Sequence, residues 1–163
     1  MLFTAFLSFI ILQRLSELLI AKRNEKWLLK NGAIEYGKAH YPVIVLMHTL
    51  FFVSMIIEYN AIPDKTIDTP FLIVCIILIL TKAWVIGSLG NYWNTKIFRI
   101  PNTALVKKGA YKYVKHPNYI IVVCELAAIP LVFHLYYTAI IFSLLNALML
   151  SVRLREENKI LIQ

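Results

Sequence analysis

Arg153, Glu156 and Glu157 stand three and four residues apart in the run Arg153-Leu154-Arg155-Glu156-Glu157-Asn158. On a helix that spacing brings both carboxylates back towards the arginine. The set can be an ion pair, ordinary charges at a helix end, or the wall of a polar pocket. A second cluster runs from Gly109 to Tyr119 as Gly-Ala-Tyr-Lys-Tyr-Val-Lys-His-Pro-Asn-Tyr. There, Pro117 biases His116 towards extended backbone and suits a first helical turn. A helix starting at that point offers free N–H groups to a carboxylate or phosphate. Tyr113 and Tyr119 add ring faces and hydroxyls around it. The plainer reading is a rim loop with anchoring aromatics.

Between the clusters, His116 to Val152 carries Glu125 as its one ionised side chain. As a single helix this stretch would rise roughly 55 Å, well beyond a hydrocarbon core of roughly 30 Å. Two helices with a turn around Phe133 to Tyr137 fit better, and they bring both clusters to one rim. A polar pocket at a membrane rim suits a water-soluble cofactor and a lipophilic acceptor. On the last helix, Asn146, Met149, Arg153 and Glu157 form one stripe.

Earlier apolar runs span Leu2 to Ile20, Tyr41 to Tyr59 and Pro70 towards Gly90. They supply three more helices. Arg14 and Glu17 share a face of the first and can neutralise each other inside the bundle. Lys22 to Ala39 reads as a polar loop, and Lys82 as a lysine that snorkels at a helix end. Trp84, Tyr92 and Trp93 read as interfacial anchors. The expected fold is an all-α integral membrane protein. It is a compact bundle of about five transmembrane helices with a C-terminal helical hairpin. Residues 1–163 form a single membrane domain, with 82–163 as its cofactor-binding and catalytic portion.

Composition agrees: 60% of the 163 residues are hydrophobic and 16% charged. Lys82, Lys96, Arg99, Lys107, Lys108, Lys112 and Lys115 follow one another with no acid between them, whereas Asp64 and Asp68 mark an acidic loop. This alternation is the positive-inside pattern, and it puts both clusters on the cytoplasmic side of a cell membrane. With five spans the N-terminus lies outside. The net charge of +8 comes without a nucleic-acid motif. Cys75 and Cys124 sit in apolar runs and read as small buried hydrophobes. His40, His48 and His134 show no metal-ligand spacing, so no metal is expected.

Gly109, Tyr111, Tyr113, Lys115, His116-Pro117 and Tyr119, followed by Arg153, Glu156 and Glu157, resemble the isoprenylcysteine carboxyl methyltransferase family. The likeness is most specific over 109–161. Ala110 and Lys115 depart from it, where the family often has proline and arginine. Lysine keeps the charge but loses bidentate geometry. The resemblance implies an S-adenosylmethionine-dependent O-methyltransferase. Tyr113, His116, Pro117, Tyr119 and Glu156 would hold the cofactor. Arg153 and Glu157 would be catalytic: the arginine stabilises an acceptor oxyanion and the glutamate orients it.

Asn24-Glu25-Lys26-Trp27 and His40-Tyr41-Pro42 resemble a small bacterial branch of the family associated with type III polyketide synthases. That likeness implies methylation of an alkylpyrone hydroxyl, with a functional link to such a synthase. Carboxyl methylation of a prenylcysteine-like substrate is the alternative. A non-enzymatic membrane scaffold or lipid-binding protein, and a nicotinamide-dependent reductase, are further alternatives.

Overall fold

The computed structural model describes residues 1–63, 65–104 and 106–161. Asp64, part of the expected acidic loop, lies outside the described residues. Five helices follow in chain order: α1 (Leu2–Lys30), α2 (Tyr41–Ala61), α3 (Thr69–Leu89), α4 (Pro117–Leu131) and α5 (Tyr136–Leu161). A two-stranded antiparallel ribbon joins β1 (Ile34–Tyr36) to β2 (Ile97–Arg99), with Glu35 opposite Phe98. The all-α, membrane-type bundle is as expected; the ribbon is a small addition in the polar connections.

Four of the helices, α1, α2, α3 and α5, are long and apolar enough to cross a membrane. The fourth in sequence, α4, has 15 residues. It rises only about 22 Å, less than any of the other four. Its Pro117 end meets α5 near Arg153. Its other end meets the α3 start, where Asp68 N donates to Val132 O at 2.9 Å. The first helix also differs from expectation. It continues through the charged stretch to Lys30, so the polar connection is shorter than Lys22 to Ala39.

Helix starts follow local chemistry. Proline occupies the first turn of α2, α3 and α4, where its missing N–H costs nothing. The Asp68 carboxylate caps α3 by accepting from Phe71 N at 3.2 Å. The Glu58 carboxylate of α2 caps α5, accepting from Tyr137 N at 3.0 Å and Thr138 N at 2.7 Å. Glu58 thus satisfies two donors that would otherwise have no intrahelical partner. His134, at φ 57°, makes the tight α4–α5 turn.

Packing is uneven along the bundle. At the end holding the start of α1, Phe3 stacks on Tyr59 at 3.8 Å, and Phe133 packs edge-on against both. Phe51, Met55, Leu126, Val132 and Leu135 complete a solvent-free core there. Long apolar side chains on the outer faces remain exposed, as a lipid-facing belt requires. Cys75 is buried, but Cys124 faces outward.

Midway down lies a polar layer to which every helix contributes. Arg14, His48, Lys82, Glu125 and Asn146 each stand roughly 10–15 Å, two to three turns, below the charged rim. Arg14 donates to Glu17 at 3.1 Å and to Glu125 at 2.7 Å. Lys82 lies 2.9 Å from each of the same two carboxylates. Lys82 is 1% exposed. It therefore does not snorkel: two acids hold its ammonium inside the bundle. The expected Arg14–Glu17 pair forms, but as half of a quartet with two positive and two negative charges.

Candidate functional site

The rim end of the bundle holds the two sequence clusters together. Gly109 opens a 3-10 turn, Gly109–Lys112, at φ 52°. The turn passes so close to α3 that a Cβ at Gly109 would overlap Ser88. The chain then reaches His116, and Pro117 starts α4 as its sequence demands.

Four side chains form a continuous chain across α4 and α5. Arg153 Nε donates to Tyr119 Oη at 2.8 Å, and that hydroxyl donates to Glu157 Oε2 at 2.7 Å. His116 Nδ1 lies 3.6 Å from the same carboxylate oxygen. The His116 ring stacks on Tyr119 at 5.1 Å and 6°. The Arg153 guanidinium lies over the Tyr119 ring, 5.2 Å from its centre. Burial lowers the pKa of His116, with Lys115 and Arg153 adding to the effect and Glu157 opposing it. Burial, with Glu157 close by, pushes the Tyr111 hydroxyl up to about 12. Near neutral pH both are uncharged hydrogen-bonding groups.

Two cavities meet at this chain. One, about 420 Å³, opens at the rim and is lined by Asn94, Arg99, Tyr111, Tyr113, His116 and Glu157 among others. The other, about 460 Å³, runs down between α1, α2 and α5 and is largely apolar, with Ile44, Phe52 and Met149 in its wall. Trp93, Asn118, Tyr119 and Arg153 line both. Among the described residues, Trp93 Nε1 and Asn118 Oδ1 are buried without a hydrogen-bond partner. An orphaned donor and acceptor in a shared wall are costly unless a ligand completes them.

Of the expected residues, His116, Tyr119, Arg153 and Glu157 come together directly. Pro117 is buried at the helix start, and Tyr113 stands at the rim cavity with its ring mostly exposed. Glu156 is not brought to either cavity wall. It is about 100° around α5 from Glu157, and Lys159 Nζ donates to its carboxylate at 2.7 Å. Trp93 departs from the anchoring role expected of it. It is 2% exposed, and Asn24 of α1 holds its segment inward by donating from Nδ2 to Trp93 O at 2.7 Å. Trp84 and Tyr92 do stay exposed at the rim. Asn118 and Trp93 carry no sequence signal for a site; only their unpaired atoms reveal them.

The rim cavity fits the cofactor that the family uses. Its volume lies in the range of small-molecule sites. Its wall offers ring faces at Tyr111 and Tyr113, N–H donors at His116 and Trp93, and a carboxylate at Glu157.

Comparison with known proteins agrees. Residues 71–163 match the model of the isoprenylcysteine carboxyl methyltransferase (ICMT) family. An uncharacterized protein of Bacillus subtilis (strain 168), YpbQ, is 44% identical over 161 residues, covering 98% of this chain and 96% of that one. An uncharacterized protein of Haemophilus influenzae is 32% identical over 147 residues, covering 88% and 86%. No solved structure matches the chain significantly.

These findings overturn the alkylpyrone expectation. The matched family esterifies the carboxyl group of prenylcysteine-like substrates and does not methylate a ring hydroxyl. Nothing in the comparisons supports a polyketide-synthase link or a separate alkylpyrone branch. The physical difference is that a carboxylate is already ionised near neutral pH. The chain is a member of the isoprenylcysteine carboxyl methyltransferase family and carries its S-adenosylmethionine-dependent methyltransferase domain.

Proposed function

We propose that the protein methylates the carboxylate of a lipophilic, prenylcysteine-like acceptor at the cytoplasmic rim of a bacterial membrane. The carrying observation is the pair of cavities that share Trp93, Asn118, Tyr119 and Arg153. A polar cofactor and an apolar acceptor would meet at that wall, each in a chamber of its own character.

When bound, S-adenosylmethionine supplies a methyl group already activated by its sulfonium. The protein's task is alignment and exclusion of water. His116, Pro117, Tyr113 and Tyr119 hold the cofactor in this reading, with residues 82–163 as the cofactor-binding portion. Helices α1 and α2 add walls to the acceptor chamber. Glu156 joins the site only if its side chain leaves Lys159. Arg153 has one N–H committed to Tyr119 and its remaining donors free to receive the acceptor carboxylate. Glu157, through Tyr119, fixes the arginine fork. The acceptor arrives as an anion, so the site needs no strong general base.

Purified protein with methyl-labelled S-adenosylmethionine and a prenylcysteine analogue tests this. A methyl ester releases labelled methanol in mild base. Base-stable product, or no product despite cofactor binding, defeats the carboxyl reading. Absence of cofactor binding returns the protein to a scaffold or lipid-binding role.

A further inference from the structure

The apolar chamber has a polar patch that the reaction above does not use. Asn146 is 7% exposed, lines the chamber and hydrogen-bonds to no described residue. It lies on the same face of α5 as Arg153, two turns or about 10 Å deeper. Leaving a primary amide unpaired in an apolar wall is unfavourable without a ligand.

Two other residues of the same wall also have a polar atom to spare. Arg14 uses Nη1 for Glu17 and Nη2 for Glu125, and its Nε has no partner among the described residues. Its side chain retains 16% exposure, into the chamber it lines. His48 donates from Nδ1 to the Ile44 carbonyl at 2.8 Å. That leaves Nε2 of the neutral ring as an acceptor, the one polar atom His48 can offer the chamber. The four charges of the quartet already balance, so an anionic group here would stand uncompensated. A neutral group that both accepts and donates matches all three side chains.

We propose that the acceptor carries a hydroxyl on its chain about 10 Å from the methylated carboxylate, and that Asn146, Arg14 and His48 recognise it. Asn146 and Arg14 donate to the oxygen, and His48 Nε2 accepts its proton. The patch sets specificity: it selects an oxygenated chain over a plain hydrocarbon one of the same length. The inference relies on the carboxyl-methylation reading only for the position of the head group.

The test uses two long-chain carboxylic acids of matched length. One has a hydroxyl roughly 10 Å from the carboxylate and the other none. Each displaces a radiolabelled plain-chain acid from protein in lipid nanodiscs, without cofactor, against empty nanodiscs as background. Wild type should bind the hydroxylated acid at least about fivefold more tightly, the worth of one net hydrogen bond. Asn146→Leu and His48→Phe should each bring that ratio towards one. Equal binding of the two acids by wild type overturns the proposal, even if neither variant folds. So does a ratio that both folded variants retain. If the preference holds but labelled S-adenosylmethionine methylates no prenylcysteine analogue, the carboxyl reading fails and the recognition patch stands.

Discussion

Arg153 shows how much of the site rests on geometry and how little on charge alone. Its Nε bond to Tyr119 leaves the outer donors without a partner among the described residues. Lysine keeps the positive charge but supplies neither the fork nor the Nε contact. Arg153→Lys should lower kcat about 10- to 100-fold, the worth of one charge-assisted hydrogen bond. Cofactor affinity should change far less, because in the proposed reading the arginine serves the acceptor. Steady-state kinetics beside calorimetry separate the two, and equal kcat at saturating acceptor removes the role. His116 gives the pH dependence. Its pKa lies below the ordinary value of 6.5, chiefly through burial. The neutral ring is therefore the form the fold prefers. Its stabilisation is fully present above pH 6.5 and is lost as pH falls towards the folded pKa, because the unfolded chain binds the proton first. Protonation also draws Glu157 away from Tyr119, loosening the arginine. Turnover should be flat above pH 7 and fall only below 6.5. His116→Asn should flatten that acid limb; a limb unchanged in the variant assigns it to another group.

At the scale of elements, the same contacts that bring the site together come from strong sequence signals. Pro117 and its helix, the Arg153–Glu157 spacing and the turn near His134 were all legible, because proline, helical period and apolar run length act locally. What stayed hidden was tertiary. Lys82 looked like a rim lysine because nothing in its own run says that Glu17 and Glu125 approach from two other helices. Trp93 looked like an anchor because its burial depends on Asn24, far away in sequence. The last turns of α1 read as loop because they are polar, yet contacts with the Gly90–Asn94 segment hold them helical. The quartet makes a sharp prediction. Glu125 neutralises Arg14 and Lys82 at once, at 2.7 and 2.9 Å. Glu125→Gln leaves two cations facing one acid in a buried layer, and should cost about 3–5 kcal/mol. Glu58→Gln removes the charge from a helix cap and should cost only about 1 kcal/mol. Reversible unfolding in mixed micelles compares the two. Equal losses would mean that the quartet is well hydrated, contrary to its burial.

The whole molecule has two unlike ends, and this fixes how it should lie in a membrane. One end is a sealed aromatic core around Phe3, Tyr59 and Phe133, with few charges. The other carries the cavities and nearly all the lysines, including Lys22, Lys26, Lys96, Lys107, Lys112 and Lys115. The start of α1 packs at the sealed end and the Glu157 end of α5 packs at the charged one. Five helices link the two ends, the short α4 among them. Pro117 starts that short helix at the His116 rim, and the Val132–Asp68 bond ties its far end to α3; five crossings are our proposal. Our proposal, on the positive-inside rule, is that the charged end faces the cytoplasm. The rim cavity lies at that same charged end. Reporter fusions should therefore place the N-terminus outside and the C-terminus inside. A cysteine introduced at Lys112 should react with an impermeant maleimide only after the membrane is opened, while one introduced at Lys65 should react in intact cells. Both termini on one side would mean that α4 does not cross. Labelling at Lys112 in intact cells would turn the rim cavity outward, away from its cofactor, and no enzyme reading of this site would survive it.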